Sequence, residues 1–194
     1  MAETMTQATR PTRNAKATAD RILLAAQKVF HQKGYDGATT REIADLAGIN
    51  LTLINRYFGA KLGLFKKAVL PHLDLEPLLH GSPDSVARRL AELYVDTGPK
   101  GEFDAFVVLV RSIASKEAGP LLMARLQDHA LEPLMSILEG PNKHARATLI
   151  STQLAGLALR FRIMSQLPID DLEQEELKRM LETQLRSFLV ADKD

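Results

Sequence analysis

The sequence predicts an all-α protein of about nine helices, and three observations carry that reading. Apolar residues recur at helical spacing over most of the chain, as in Ile22, Leu23, Ala26, Val29 and Phe30. No run alternates apolar and polar residues as a half-buried strand does. Helix-start and helix-stop residues (Thr39, Asn50, Pro83 and Asp170; Gly34, Gly48, Pro71 and Pro168) bracket the periodic stretches instead of interrupting them.

Taken in order, residues 1–17 are rich in Thr and Ala, lack a sustained apolar period and read as a mobile arm. Thr18 is a plausible cap for the first helix, which Gly34 can close. Thr39 and Thr40 both suit the start of the second, and Thr39-x-x-Glu42 fits a capping box; the sequence does not choose between the two caps. Ile43, Ala44, Leu46 and Ala47 are expected to face inward, Gly48 permits the positive φ needed to leave the helix, and Asn50 can cap a third helix from Leu51 to about Phe58. Ile54 and Phe58 fall on its buried side. A fourth helix, about Lys61 to Val69, carries Leu64, Phe65 and Ala68 inward before Pro71. Five more helices follow. Ser82-Pro83 opens one running through Val95, the next covers about Glu102 to Lys116, and the third covers Leu121 to Leu138 with Pro133 as a kink. Pro141 opens one that ends before Pro168, and Asp170 caps the last, to about Val190.

With 194 residues the chain suits a small domain joined to a larger one, divided here as 18–70 and 71–194. Hydrophobic residues at 45% and charged residues at 25% are ordinary globular values, which argues against disorder and fibrous folds. The absence of cysteine excludes disulfides and thiolate metal sites; with no signal-like or membrane-length apolar segment, the cytoplasm is the expected compartment. Charge is unevenly placed. Residues 1–70 hold 11 Lys/Arg against 5 Asp/Glu, a net of +6, whereas residues 71–194 hold 14 against 19, a net of −5. A basic lobe beside an acidic one suits a module that meets phosphates.

Ala44, Gly48 and Ile54 form an Ala-x3-Gly-x5-Ile corner, with a small residue where two helices cross, a glycine at the turn and a bulky aliphatic pinning the second helix. The stretch RILLAAQKVFHQKGYDGATTREIADLAGINLTLINRYFGAKLGLFKKAV, residues 21–69, resembles the DNA-binding domain of TetR-family transcriptional repressors in the order and spacing of its first helices. The resemblance implies a three-helix helix-turn-helix unit followed by a helical ligand-binding and dimerisation domain. It implies that Thr40 and Arg41 meet the phosphate backbone, with Arg41 able to reach a base edge. Leu51, Thr52, Asn55 and Arg56, following Asn50, would lie at or near the major groove, and Tyr57 and Lys61 would anchor phosphates on either side. Each has a plainer reading too: Arg56 can simply solvate its helix and Tyr57 can pack. Asn55 departs from the family's usual tyrosine, which puts that phosphate contact in doubt, and Ala60 replaces the usual polar cap of the fourth helix.

One helix-turn-helix reads too few base pairs alone, so a homodimer on a palindrome is expected. Two apolar stripes suit pairing: Leu154, Leu157, Ala158 and Phe161 in one helix, and Leu177, Leu181, Leu185 and Phe188 in the last. The resemblance implies that these two helices pair with their symmetry mates; alternatively the stripes close the protomer's own core. The resemblance also implies an effector pocket among the middle helices, with Phe103, Phe106, Val110, Met123 and Met135 as apolar lining and Arg111 and His129 as polar handles, suited to a largely apolar small molecule. No cofactor is expected. His72, Asp74, Glu76 and His80 lack metal-ligand spacing, and neither a phosphate loop nor a nucleophile elbow occurs, so neither a metal nor catalysis is expected. The implied function is a DNA-binding transcriptional regulator, a repressor released by a small molecule; a helical protein–protein adaptor is the alternative.

Overall fold

Alanine and lysine at positions 15–17 are good helix formers, and they carry the first helix further upstream than its Thr18 cap suggests. In the computed structural model, which describes residues 13–95, 103–164 and 169–190, α1 spans Arg13–Gly37. The part of the expected arm before residue 13 lies outside the described residues, and Thr18 is inside the helix. All regular structure among the described residues is helical. The helical path of α1 breaks at Gly34, whose φ of 67° is left-handed. A Cβ there would stand 2.7 Å from the Arg111 carbonyl oxygen, so both backbone angle and space demand glycine.

Three short helices follow: α2 (Thr40–Ala47), α3 (Leu51–Phe58) and α4 (Lys61–Ala68). Thr39 is the cap of α2, its hydroxyl accepting from the Glu42 N–H at 3.2 Å, while the Glu42 carboxylate turns to Lys33 at 2.6 Å. Ile43, Ala44 and Ala47 are buried, but Leu46 is 55% exposed, contrary to its expected inward place. The three buried positions share one face, and Leu46 falls roughly 110° from its centre at 3.6 residues per turn. Gly48, at φ 62°, closes α2 by donating to the Asp45 carbonyl at 3.1 Å, and the next N–H, of Ile49, reaches the Ala44 carbonyl at 3.0 Å. Ile54 is fully buried in the resulting corner, and Phe58 is half-buried against the same core.

Beyond two 3₁₀ turns (Leu70–His72, Glu76–Leu78) come α5 (Pro83–Val95) and α6 (Ala105–Ser112). Pro83 takes the first turn of α5, as expected; Asp104 caps α6 by accepting from the Phe106 N–H at 2.8 Å, so α6 is shorter at both ends than the expected 102–116. α7 (Ala118–Leu126) runs through a π turn (Gln127–Leu131) into α8 (Glu132–Ile137). Pro133 explains the π turn. Without an N–H it cannot bond the His129 carbonyl four residues back, and its ring crowds that oxygen. The freed carbonyl accepts from Leu75 N–H at 2.9 Å, tying the connection to this helix. α9 (Lys143–Ala158) starts two residues after the expected Pro141, because Asn142 sits at φ 58° in a turn, and it ends in a second π turn (Leu159–Ile163). α10 (Asp171–Leu189) is capped by Asp170, which accepts from Glu173 N–H at 2.8 Å. Counting α7–π–α8 and α9–π as continuous rods, nine helices stand among the described residues.

Burial forms two cores, and they do not divide at residue 70. One joins α1–α4 to Val108 and Leu109 of α6 and Ala118 and Leu122 of α7; the other joins α5, α8, α9 and α10. The junction of α1 with α6 and α7 is polar as well as apolar. Tyr35 N–H donates to Ser112 Oγ at 2.9 Å, Ser115 Oγ donates to Asp36 at 2.8 Å, and the Arg111 guanidinium donates to the His31 and Gln32 carbonyls. The buried Tyr35 phenol donates to Glu117 at 2.5 Å. Burial, the hydrogen bond to Glu117 and that group's charge all raise the Tyr35 pKa. The folded state thus favours the protonated phenol, a stabilisation present below the ordinary tyrosine pKa of about 10 and lost as pH climbs past it. Tyr35→Phe is expected to cost about 1 kcal/mol at neutral pH and to flatten the fall in stability above about pH 10. Urea midpoints measured across that range check it; an identical alkaline fall in both proteins would refute it.

Candidate nucleic-acid interface and cavity

A polar surface lies at the corner. Arg41 near the start of α2 and Asn50, Thr52, Asn55 and Arg56 along α3 are exposed, while Thr40, Leu51, Tyr57 and Lys61 are half-buried. Ion pairing leaves Arg41 and Arg56 untouched among the described residues.

Two of the nine behave differently. Asn50 is engaged as the α3 cap: its Oδ1 accepts from the Thr52 N–H at 2.9 Å and from the Thr52 hydroxyl at 2.8 Å. The Lys61 ammonium turns inward, donating to the Tyr35 carbonyl at 3.0 Å and the Ala38 carbonyl at 3.2 Å and standing 4.3 Å above the Tyr35 ring. It therefore pins the start of α4, where Ala60 provides no side-chain cap, to the end of α1. Tyr57 packs beside Phe58, ring centroids 6.2 Å apart, against the α1–α4 core.

A cavity of about 890 Å³ opens among α5, α6, α7, the Gln127–Leu131 turn, α9 and the segment after α4. Of the residues proposed for an effector pocket, Phe103, Phe106 and Met123 line it, and Val110, Arg111, His129 and Met135 do not. Arg111 is drawn to the carbonyls at the end of α1, which its long side chain reaches from the far end of α6. Val110 lies beside it on α6, outside the cavity's wall, and Met135 packs in the second core. His129 faces Asp74, its Nδ1 3.7 Å from Oδ2. Asp74, Glu76 and His129 bring their ligand-capable atoms within 4.8 Å of one another, while His72 and His80, grouped with Asp74 and Glu76 in sequence, are outside that cluster, the His72 ring meeting Gln27 at 3.0 Å. Arg125, 3.5 Å from Asp74, already supplies a positive charge there.

Sequence periodicity missed the cavity's polar end. Arg162, in the π turn after α9, donates to the Leu93 carbonyl at 2.9 Å and meets Asp104 at 3.3 Å. Its guanidinium carbon is 5.5 Å from the Tyr94 ring centroid and 5.9 Å from that of Phe106. Burial pushes the Tyr94 phenol up, with the Asp104 charge adding to the rise and Arg162 opposing it. These residues come from three helix ends far apart in the chain, so no local pattern marks them.

The apolar stripes proposed for pairing are used differently. Leu154, Ala158, Leu181 and Leu185 are buried in the second core, with Leu157, Phe161, Leu177 and Phe188 half-buried against it. They close the protomer, because α5 and α8 cover them. What α9 and its π turn leave in water is the opposite face: Leu149 at 54%, Leu159 at 40% and Ile163 at 37% exposure, with Gly156 between them. α10 leaves Leu172 and Met180.

Corner, polar face and cavity together define a helix-turn-helix protein with a second, helical body that encloses a cavity. Residues 22–68 match the sequence profile of bacterial regulatory proteins of the tetR family, and residues 84–189 match the tetracyclin repressor-like C-terminal domain. The chain belongs to the TetR family. It is 30% identical over 92 residues to the HTH-type transcriptional repressor BdcR of Escherichia coli K12, covering 47% of this chain and 42% of that protein. It is 38% identical over 53 residues to the transcriptional activator FasR of Mycolicibacterium smegmatis, covering 27% of this chain and 24% of that one. These matches thus span less than half the length of the curated relatives. By fold, it superposes on NalD of Pseudomonas aeruginosa, the secondary repressor of the MexAB-OprM multidrug efflux pump, with TM-score 0.67 at 20% identity, over 86% of this chain and 95% of that one. No helix among the described residues is long and apolar enough to cross a membrane.

Proposed function

We propose that the protein is a cytoplasmic, homodimeric transcriptional repressor that holds a palindromic operator and releases it when a small molecule fills the cavity. The observation that carries this reading is the pair Arg41 and Arg56, exposed and without ion-pair partners among the described residues, on the two helices that meet at Gly48. α3 enters the major groove. Thr52, Asn55 and Arg56 face base edges and neighbouring phosphates, Asn55 being suited to an adenine edge, and Thr40, Arg41, Leu51 and Tyr57 flank the backbone. Asn50 and Lys61 serve mainly to hold α3 and α4 in place, as their internal bonds indicate. The second copy docks on the exposed faces of α9 and α10, where Leu149, Leu159, Leu172 and Met180 await cover and Gly156 permits close approach.

Coupling runs along α6. Its first residue, Ala105, and its cap, Asp104, line the cavity, while Arg111 in its last turn grips the end of α1. A ligand that favours one placement of α6 biases the spacing of the two α3 helices, provided it binds the two placements unequally.

Selection of random duplex DNA on the purified protein tests this reading. A retained palindrome should bind two protomers by light scattering, with affinity falling by about 0.9 log units per log unit of salt for each phosphate neutralised. Arg41→Ala and Arg56→Ala should each lose affinity by ~1–3 kcal/mol where the contact is to a base. A protein that retains no duplex at low salt, or is a monomer on it, overturns the proposal.

A further inference from the structure

We propose that the cavity takes a molecule with a single carboxylate on an apolar body, the carboxylate seated between the Arg162 guanidinium and the Tyr94 hydroxyl. The assignment rests on reading the cavity as the effector site and names the chemistry that site recognises.

The apolar part follows from the walls. Phe103, Phe106, Leu109, Leu126, Leu154 and Phe161 line a space of about 890 Å³, a size that suits a small organic ligand. The carboxylate follows from the donors. Arg162 carries five N–H groups, of which the Leu93 carbonyl and one Asp104 oxygen engage only part, and its contact to Asp104 is a single long prong at 3.3 Å. Tyr94 lines the same cavity, and its hydroxyl meets no acceptor among the described residues. The Tyr94 pKa is raised, desolvation being the first cause, so the hydroxyl stays protonated at neutral pH and is a donor. Two donor groups, one charged, therefore line the same end of the cavity beside Asp104, where the Tyr94 and Phe106 rings thin the water around the guanidinium. There a charge-assisted hydrogen bond is strong.

The lining carboxylates do not reverse this sign. Asp74 has Arg125 at 3.5 Å, and its Oδ1 accepts from the Glu76 N–H at 3.0 Å. Asp104 is held by the Phe106 N–H at 2.8 Å in addition to Arg162. A ligand cation would approach Asp104 against the Arg162 charge and would offer the Tyr94 hydroxyl no acceptor. A ligand carboxylate instead takes the free Arg162 N–H groups two at a time. It then shares the Arg162 charge with Asp104, at the cap of the helix whose other end grips α1.

Calorimetric titration of the full chain with decanoate, decylamine and decanol tests the assignment, the three probes sharing one apolar body. Decanoate is expected to bind tightest, by about tenfold. Arg162→Met should weaken decanoate about tenfold or more and leave decanol within about twofold. Tyr94→Phe, which keeps the ring, should weaken decanoate about threefold. Helical circular dichroism monitors folding, and if the Arg162 variant unfolds, Tyr94→Phe decides. Decanoate failing to bind, decylamine or decanol binding the native protein as tightly, or decanoate affinity unchanged by Tyr94→Phe overturns the proposal. Duplex retention is measured separately, so failure of the DNA reading leaves these affinities legible.

Discussion

Gly63→Ala is expected to destabilise the helix-turn-helix unit by more than the ~3 kcal/mol typical of an overpacked core, although alanine is the better helix former by about 1 kcal/mol. Gly63 is the third residue of α4, and a Cβ there would stand 2.0 Å from the Phe58 carbonyl oxygen at the end of α3. Carbon and oxygen do not approach so closely without bonding. The obstacle is backbone, so no side-chain rotation relieves it, and the first turn of α4 must move away from α3. Ala60 offers that turn no side-chain cap, and the Lys61 ammonium, bonded to the carbonyls of Tyr35 and Ala38, resists its moving away. Gly48→Ala is the control. Open space surrounds that position, so only its left-handed φ of 62° penalises a side chain, by about 1–2 kcal/mol. Guanidinium midpoints and duplex retention of the two variants measure the difference. A Gly63→Ala protein as stable as the native one would show that α3 and α4 do not meet in this way.

Phe65→Ala should cost ~3–5 kcal/mol, toward the upper end for a buried aromatic. Phe65 is fully buried and meets two rings edge-on, Phe30 at 5.0 Å and Tyr35 at 5.1 Å between centroids. Each such pair contributes roughly 0.5–1.5 kcal/mol beyond burial. The hole would not collapse easily, because its walls are fixed. Tyr35 is bonded to Glu117 at 2.5 Å and through its N–H to Ser112, and Phe30 lies inside α1. A domain of ordinary stability, ~5–15 kcal/mol, thereby loses a large share. In thermal melts the midpoint should fall by roughly 10 °C for a chain of this size, and Phe65→Leu should recover more than half. A drop of only a degree or two would place Phe65 outside the core.

The first lobe was legible because its signals are local. Thr39, Gly48 and Asn50 each act within a few residues of themselves, through caps and one left-handed angle, so their positions in the chain nearly dictate the turn. Where expectations missed, a distant partner had the deciding vote. Lys61 looked free for phosphate, but Tyr35 and Ala38, more than twenty residues earlier, take its ammonium. Arg111 looked like a handle inside the cavity, but the open carbonyls at the Gly34 break claim it. Leu154 and Leu181 advertised an apolar face without saying whether a neighbour in the same chain or in another would cover it.

Taken alone, the sequence determined the helical class, the order of the helices, the corner at Gly48 and the basic character of the first lobe. These depend on period, capping chemistry and charge count, all of which act within a few turns of helix. Tertiary packing alone decided that α6 and α7 share the core of the helix-turn-helix lobe, that Pro133 opens a π turn in which the His129 carbonyl accepts from Leu75, and that Arg162, Asp104 and Tyr94 line one cavity. Those outcomes depend on which helix ends arrive side by side. Many arrangements satisfy the same apolar stripes, and the one adopted is selected by the fit of the whole set of side chains.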